Sequence, residues 1–307
     1  GNIKAMQWFT DHDLQVMGAT AGQTRWVLMP QEESNMENIR SFAVSSINSG
    51  LNGLLLTLWD DDSPHFELYM RGILAFAEYS WIGYKRTKEE IKTAFRQREY
   101  GYPLADVNNS FMTALETPVA FWKNALLKGN QRNFLPSMEN PMEKAVIDFP
   151  DKKNIGAWSS ANEDRIKSAT QVLSQTDSIA KKIEYSRSIA LRNDHNLQVY
   201  EQVNKLAQYS PKMLLALRDY DQAESRDNII ATASKLKELE SEFSTLRKDL
   251  EMVYGKTRIL TKPDNYILDQ DHHVHLANQS INFDWQFYAE MLFFQKLNNE
   301  LEKEIYM

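Results

Sequence analysis

Three acids in a row follow a tryptophan in the segment Leu58-Trp59-Asp60-Asp61-Asp62-Ser63-Pro64-His65. Like charges at that spacing repel, so each carboxylate needs donors, a cation or water. The residues before them, Gly53 to Leu58, form the longest apolar run of the chain and read as a buried strand. A loop at the C-terminal end of a strand is where barrel enzymes place ligand contacts. Tryptophan beside carboxylates suits a sugar. The indole stacks on the apolar face of a pyranose while carboxylates accept hydrogen bonds from its hydroxyls. The plainer alternative is an Asp-rich turn, with Asp62 or Ser63 capping a helix that begins near His65.

A second cluster is Asp269-Gln270-Asp271-His272-His273-Val274-His275, which holds three of the six histidines. Imidazole with carboxylate suits a transition metal, and His272, His273 and His275 are the candidate ligands. Neighbours in an extended stretch point to opposite sides, so at most two of the three share a direction. A polar loop with histidines bonded to carboxylates is the favoured reading, and no metal or organic cofactor is expected. The following Phe283, Trp285 and Phe287 read as core packing. No phosphate loop, Gly-x-Gly-x-x-Gly, Gly-x-Ser-x-Gly or His-Glu-x-x-His occurs.

The elements that must position these residues differ along the chain. Lys4 to His12 is a short amphipathic stretch. Leu14 to Gly18 reads as a strand entering a small-residue loop, Ala19 to Thr24. A helix capped by Ser34 or Asn35 carries Ile39, Phe42, Ala43, Ser46 and Ile47 on one face and ends at Gly50. Leu54 to Trp59 then reads as a parallel strand buried on both faces. Glu32-Glu33 and Glu89-Glu90 read as exposed helix-start acids.

Beyond Pro64 helices dominate: His65 to Ile82, Thr87 to Arg98 with Thr87 as cap, Ser110 to Leu127, Ser160 to Ser188, Leu197 to Leu217 broken near Pro211, Ser225 to Tyr254, and Asn282 onward. In the helix after Ser225, Ile229, Leu236, Phe243 and Leu250 recur every seven residues. Leu239, Leu246 and Val253 follow their partners by three, with Thr232 as the polar member of the set. That stripe packs lengthwise against other helices of an antiparallel bundle, with a homodimer as a further means of covering the helix surface.

The 307 residues allow about two domains, and 42% hydrophobic with 25% charged residues is a globular balance. A net charge of −7 opposes nucleic-acid binding. No apolar run approaches the ~18 residues of a membrane span. The absence of cysteine excludes disulfides and thiol chemistry. The opening Gly1-Asn2-Ile3-Lys4, without Met, reads as a truncated start.

The run Gly53 to Asp62, followed by Arg71-Gly-Ile-Leu-Ala-Phe-Ala77-Glu78-Tyr-Ser-Trp81, resembles the last strands of family-20 glycoside hydrolases, the β-N-acetylhexosaminidase type. Gln15 to Ala19 with Thr24-Arg25-Trp26 is similar, more loosely, to that family's sixth strand. The resemblance implies that Trp59 walls the sugar pocket, that Asp61 and Asp62 accept from sugar hydroxyls, and that Arg25 and Trp26 lie near further sugar contacts. It implies a retaining, substrate-assisted removal of terminal N-acetylhexosamine from a glycan, in a periplasmic or extracellular setting. The Asp-Glu pair that the family uses for catalysis has no counterpart before residue 53, so this chain carries no catalytic residue of its own. The expected fold is mainly α: residues 1–86 as the end of a (β/α)8-type barrel, then residues 87–307 as a helical domain with a connection at about 129–158. The rival reading is a non-catalytic helical interaction or dimerisation module with a degenerate barrel remnant.

Overall fold

The computed structural model describes residues 3–22, 28–59, 66–83, 85–130, 132–261 and 283–305. Helices predominate, and among the described residues the strands are two. None of the described helices is long and apolar enough to cross a membrane. The chain divides into two compact units, one of Gly1–Glu116 with Lys182–Leu197, the other of Thr117–Lys181 with Gln198–Met307. The boundary expected at residues 86/87 falls inside the first unit.

The first unit opens with α1 (Ile3–Asp11), β1 (Met17–Ala21), α2 (Asn35–Asn48), β2 (Gly53–Thr57), a 3-10 turn (Phe66–Tyr69), α3 (Met70–Ile82) and α4 (Lys88–Tyr100). The strands pair in parallel, from Met17 opposite Gly53 to Ala21 opposite Thr57. Strand β1 starts three residues later than the hydrophobic pattern suggests and runs on through Ala19, Thr20 and Ala21, residues expected to form a loop. The reason is steric. A Cβ on Gly18 would lie 2.8 Å from a ring carbon of Phe42 and 2.9 Å from Ser46 Oγ, so only a small residue lets α2 settle on the strand.

In a parallel pair, residues at the same level point to the same side. Gly18 and Thr20 are buried beside partly buried Leu54 and Leu56, and α2 packs on that face. The other face carries Met17, 60% exposed, and Leu55, 51% exposed. The expectation that β2 is buried on both faces is therefore corrected: apolar side chains line both faces, but one face is open. Beneath α2 and α3 the core gathers Met36, Ile39, Ala43, Ala75, Tyr79 and Ile91.

Helix α4 begins with the expected capping box. Thr87 Oγ1 accepts from the backbone N–H of Glu90, and the Glu90 side chain accepts from the backbone N–H of Thr87. Its C-terminal end is tied to the returning segment, since Leu191 N donates to Tyr100 O at 2.8 Å.

Helices α5 (Met112–Asn124), α6 (Pro141–Ala145), α7 (Ala157–Ala161), α8 (Glu163–Ile189), α9 (Asp194–Gln222), α10 (Arg226–Gly255) and α11 (Tyr288–Ile305) follow. Helix α9 runs unbroken through Pro211, against the expected interruption. A mid-helix proline costs about 3 kcal/mol. Buried Ala207, Tyr209, Met213 and Leu214 around it supply the offsetting packing. Ser225 caps α10 by accepting from Asn228 N at 3.2 Å.

The heptad stripe is buried from Leu236 through Leu239, Phe243, Leu246, Leu250 and Val253. Phe243 meets the rings of Tyr209, Phe287 and Phe294 at 5.0, 5.5 and 5.3 Å between centroids. Nearby, Arg132 lies 3.9 Å over the Trp122 ring and donates to both oxygens of buried Glu290, at 3.1 and 2.5 Å. Only the first turns of the stripe are less covered: Ile229, Ile230 and Ala233 line an open groove of about 1120 Å³ with Leu301. A second copy of the chain is thus not required to bury the main part of the stripe.

Candidate functional site

Of the residues expected to contact sugar, Trp59 is described; Arg25, Trp26, Asp61 and Asp62 lie outside the described residues, as do His272, His273 and His275. Among the described residues no group of three or more His, Cys, Asp or Glu is placed to hold a metal. Trp59 stands two residues past the end of β2. Strand parity puts it on the side of Leu55 and Thr57, away from the packed face. Trp59 as a whole residue is 51% exposed. Its ring N–H donates to Thr57 Oγ1 at 3.1 Å, and the Thr57 hydroxyl donates in turn to Thr20 O on β1 at 3.2 Å. The Tyr69 hydroxyl donates to Trp59 O at 2.7 Å, so the 3-10 turn before α3 holds the main chain at this point.

The open face thus runs from Met17 and Leu55 to an aromatic ring at the strand's C-terminal end. A half-exposed indole with its N–H already bonded offers ring surface rather than a donor. Ring surface binds the C–H face of a sugar or another flat apolar group.

A charged cluster that the sequence reading did not identify lies near the end of β1. Glu32 was expected on the surface, yet it is 1% exposed. Its carboxylate accepts from Arg71 Nε at 2.7 Å and from Gly72 N at 3.0 Å. Arg71, also buried, reaches Glu116 at 2.6 Å through its second terminal nitrogen. Glu116 in turn accepts from the backbone N–H groups of Glu32 and Glu33 at 2.9 and 3.1 Å. Glu33 is paired with Lys88 and Lys92, each at 2.6 Å, and accepts from Thr113 Oγ1 at 2.9 Å. Gly72 permits this closeness, because a Cβ there would sit 2.7 Å from Gly22 O and 2.8 Å from a Glu32 oxygen. Glu89 and Glu90, by contrast, are exposed at the start of α4, as expected.

Burial raises the Glu32 carboxyl from 4.5 to about 7, against the pull of Arg71 and the Gly72 N–H. For Glu33, burial is outweighed by Lys88, Lys92 and Thr113 together, and its carboxyl falls to about 2. A carboxyl near neutrality can signal a catalytic acid. Here both Glu32 oxygens are engaged by Arg71 and Gly72, and the cluster ties the starts of α2, α3 and α5 together. It is a structural clamp.

No family model matches the chain, and no curated protein matches it. Among solved structures it is similar to a GH138 enzyme targeting pectin rhamnogalacturonan II, with a TM-score of 0.42 and 11% sequence identity. The match covers 98% of this chain and 50% of that one, so the chain spans half the length of its structural neighbour. The neighbour is not a family-20 hexosaminidase, and the family-20 resemblance is withdrawn. Part of the Arg71-to-Trp81 segment that carried much of it is accounted for locally: Arg71 and Gly72 form the clamp and Ala75 and Tyr79 fill the core, while Trp81 is 90% exposed. The residue roles, the N-acetylhexosamine substrate and the compartment inferred from that family lose their support with it.

Proposed function

We propose that this chain belongs to a carbohydrate-processing protein of the glycoside hydrolase type, and that it contributes a sugar-stacking surface at the C-terminal end of a parallel strand. In this reading further strands extend the pair into a (β/α) barrel, so that the face carrying Met17, Leu55 and Trp59 lines its interior. One observation carries the proposal. The apolar face of β1 and β2 opposite α2 is open, and it leads to a half-exposed Trp59 whose N–H is held by Thr57. Parallel strands in α/β proteins are covered on both faces, and the strand order β1–α2–β2–α3 is that of consecutive β/α units. Asp61 and Asp62, which follow Trp59 in sequence, are proposed as acceptors for the sugar hydroxyls. The helical unit is structural and takes no part in chemistry.

Isothermal titration calorimetry tests this with a panel of neutral, uronate and N-acetylated oligosaccharides against the chain and its Trp59→Ala variant. The expected result is saturable binding to at least one class, weakened about tenfold or more by the substitution, equivalent to ~1.4 kcal/mol. Binding that Trp59→Ala leaves intact, or no binding across the panel, would overturn the proposal.

A further inference from the structure

Thr57 is the last residue of β2, two before Trp59, and its single hydroxyl serves two neighbours. It accepts from the Trp59 ring N–H at 3.1 Å and donates to Thr20 O at 3.2 Å. A hydroxyl has one proton and two lone pairs, so both bonds can exist together with the direction indole to Thr57 to β1. Thr57 is paired with Ala21 in the strand register, which fixes where its Cβ sits relative to β1. From the other side, the hydroxyl of fully buried Tyr69 grips the Trp59 carbonyl at 2.7 Å, and the Tyr69 ring lies 6.1 Å from that of Phe66.

We propose that Thr57 is a positioning residue: it fixes the plane of the Trp59 indole against β1, so that a ligand meets a ring face already oriented for stacking. The inference rests on the reading of Trp59 as a sugar platform and adds a preference to it. With the ring N–H engaged by Thr57, recognition falls to the aromatic face. The ligand class is then a pyranose that offers an unbroken patch of axial C–H groups on one side, rather than one recognised by a hydrogen bond from the indole. An indole held in one rotamer also loses less side-chain entropy on binding than a free one.

The test uses ¹⁵N-tryptophan-labelled chain with Thr57→Val, which keeps the branched shape suited to a strand but removes the hydroxyl, and Thr57→Ser, which restores it. Trp59→Phe assigns the indole N–H resonance. Two quantities are read: the hydrogen-exchange rate of the Trp59 indole N–H without sugar, and the dissociation constants of methyl pyranosides of gluco, galacto and manno configuration. The expectation is faster exchange and roughly three- to tenfold weaker binding in Thr57→Val, both returning toward the parent value in Thr57→Ser. Binding by the parent chain that Thr57→Val leaves unchanged, or an unchanged exchange rate, overturns the positioning role while the platform survives. If the parent chain binds none of the pyranosides, the platform reading itself fails and takes this inference with it.

Discussion

Replacing Arg71 with Met removes the cation that reaches both Glu32 and Glu116 while keeping most of the volume of the buried side chain. Glu32 is left with the Gly72 N–H as its partner, and Glu116 keeps the two backbone N–H groups at the start of α2. Stripping one partner from a buried ion pair costs about 3–5 kcal/mol, because the remaining charge stays buried. For a unit of this size that corresponds to a fall in melting temperature of roughly 10–20 °C. The loss should depend on pH in a definite direction. Glu32 in the folded chain has a pKa raised to about 7, so it takes up a proton on folding between pH 4.5 and 7. Its contribution favours the fold at low pH and is lost as the pH rises through 7. Without Arg71 the main influence holding that carboxyl down is gone, and it rises further. Protonation then relieves part of the damage in acid. Thermal unfolding followed by circular dichroism at about pH 5 and pH 8 should show Arg71→Met losing more at the higher value, by at least about 1 kcal/mol. A fall of only a few degrees, or an equal fall at both values, would refute the description of this cluster as a buried clamp.

Three other outcomes follow from the packing. Gly72→Ala forces a Cβ against Gly22 O and Glu32, and should destabilise the first unit by about 1–3 kcal/mol in denaturant unfolding, whereas the same change at Gly129, with open space around it, should cost little. Glu33→Gln removes a carboxylate held near 2; its stabilisation is present above pH 4.5 and lost as the pH falls toward 2. The variant should lose about 1–2 kcal/mol at neutral pH, a range discounted for the partial exposure of the pairs, and converge with the parent in strong acid. Leu250→Ala empties a fully buried position of the α10 stripe and should cost about 2–5 kcal/mol, while Met252→Ala, on the exposed side, should be nearly neutral by the same measurement.

Much of the helical architecture is legible in the sequence because its signals are local. Thr87 and Glu90 define the start of α4, and the seven-residue recurrence from Leu236 to Val253 marks the buried side of α10. The run Leu54 to Thr57 gives β2 by its apolar, β-compatible composition. Where local signals compete with tertiary contacts, the reading fails. Strand β1 falls on small residues because α2 needs Gly18 beneath Phe42, which no window of the strand itself reveals. Pro211 breaks an isolated helix but not one wedged among buried side chains. Glu32 resembles any surface acid ahead of a helix, since its partner is 39 residues away in sequence. The clue lay on α3 instead. Arg71 shares a helical face with Ala75 and Tyr79, and an arginine in a core stripe calls for a buried acid. For the candidate site, composition pointed to Trp59 and its strand end, whereas the family analogy that named a specific sugar and mechanism leaned on the start of α3, where Arg71, Gly72, Ala75 and Tyr79 serve the clamp and the core.

The account's central claim is that a sugar ring stacks on Trp59 at the open end of β2. Saturation-transfer difference NMR of the best-binding saccharide from the calorimetric panel tests it most directly, because it reports which ligand protons touch the protein. The predicted result is strongest transfer to the C–H protons on one face of a single pyranose ring, with the signal collapsing in Trp59→Ala. Even transfer over both faces, or a pattern that survives loss of the indole, would contradict it.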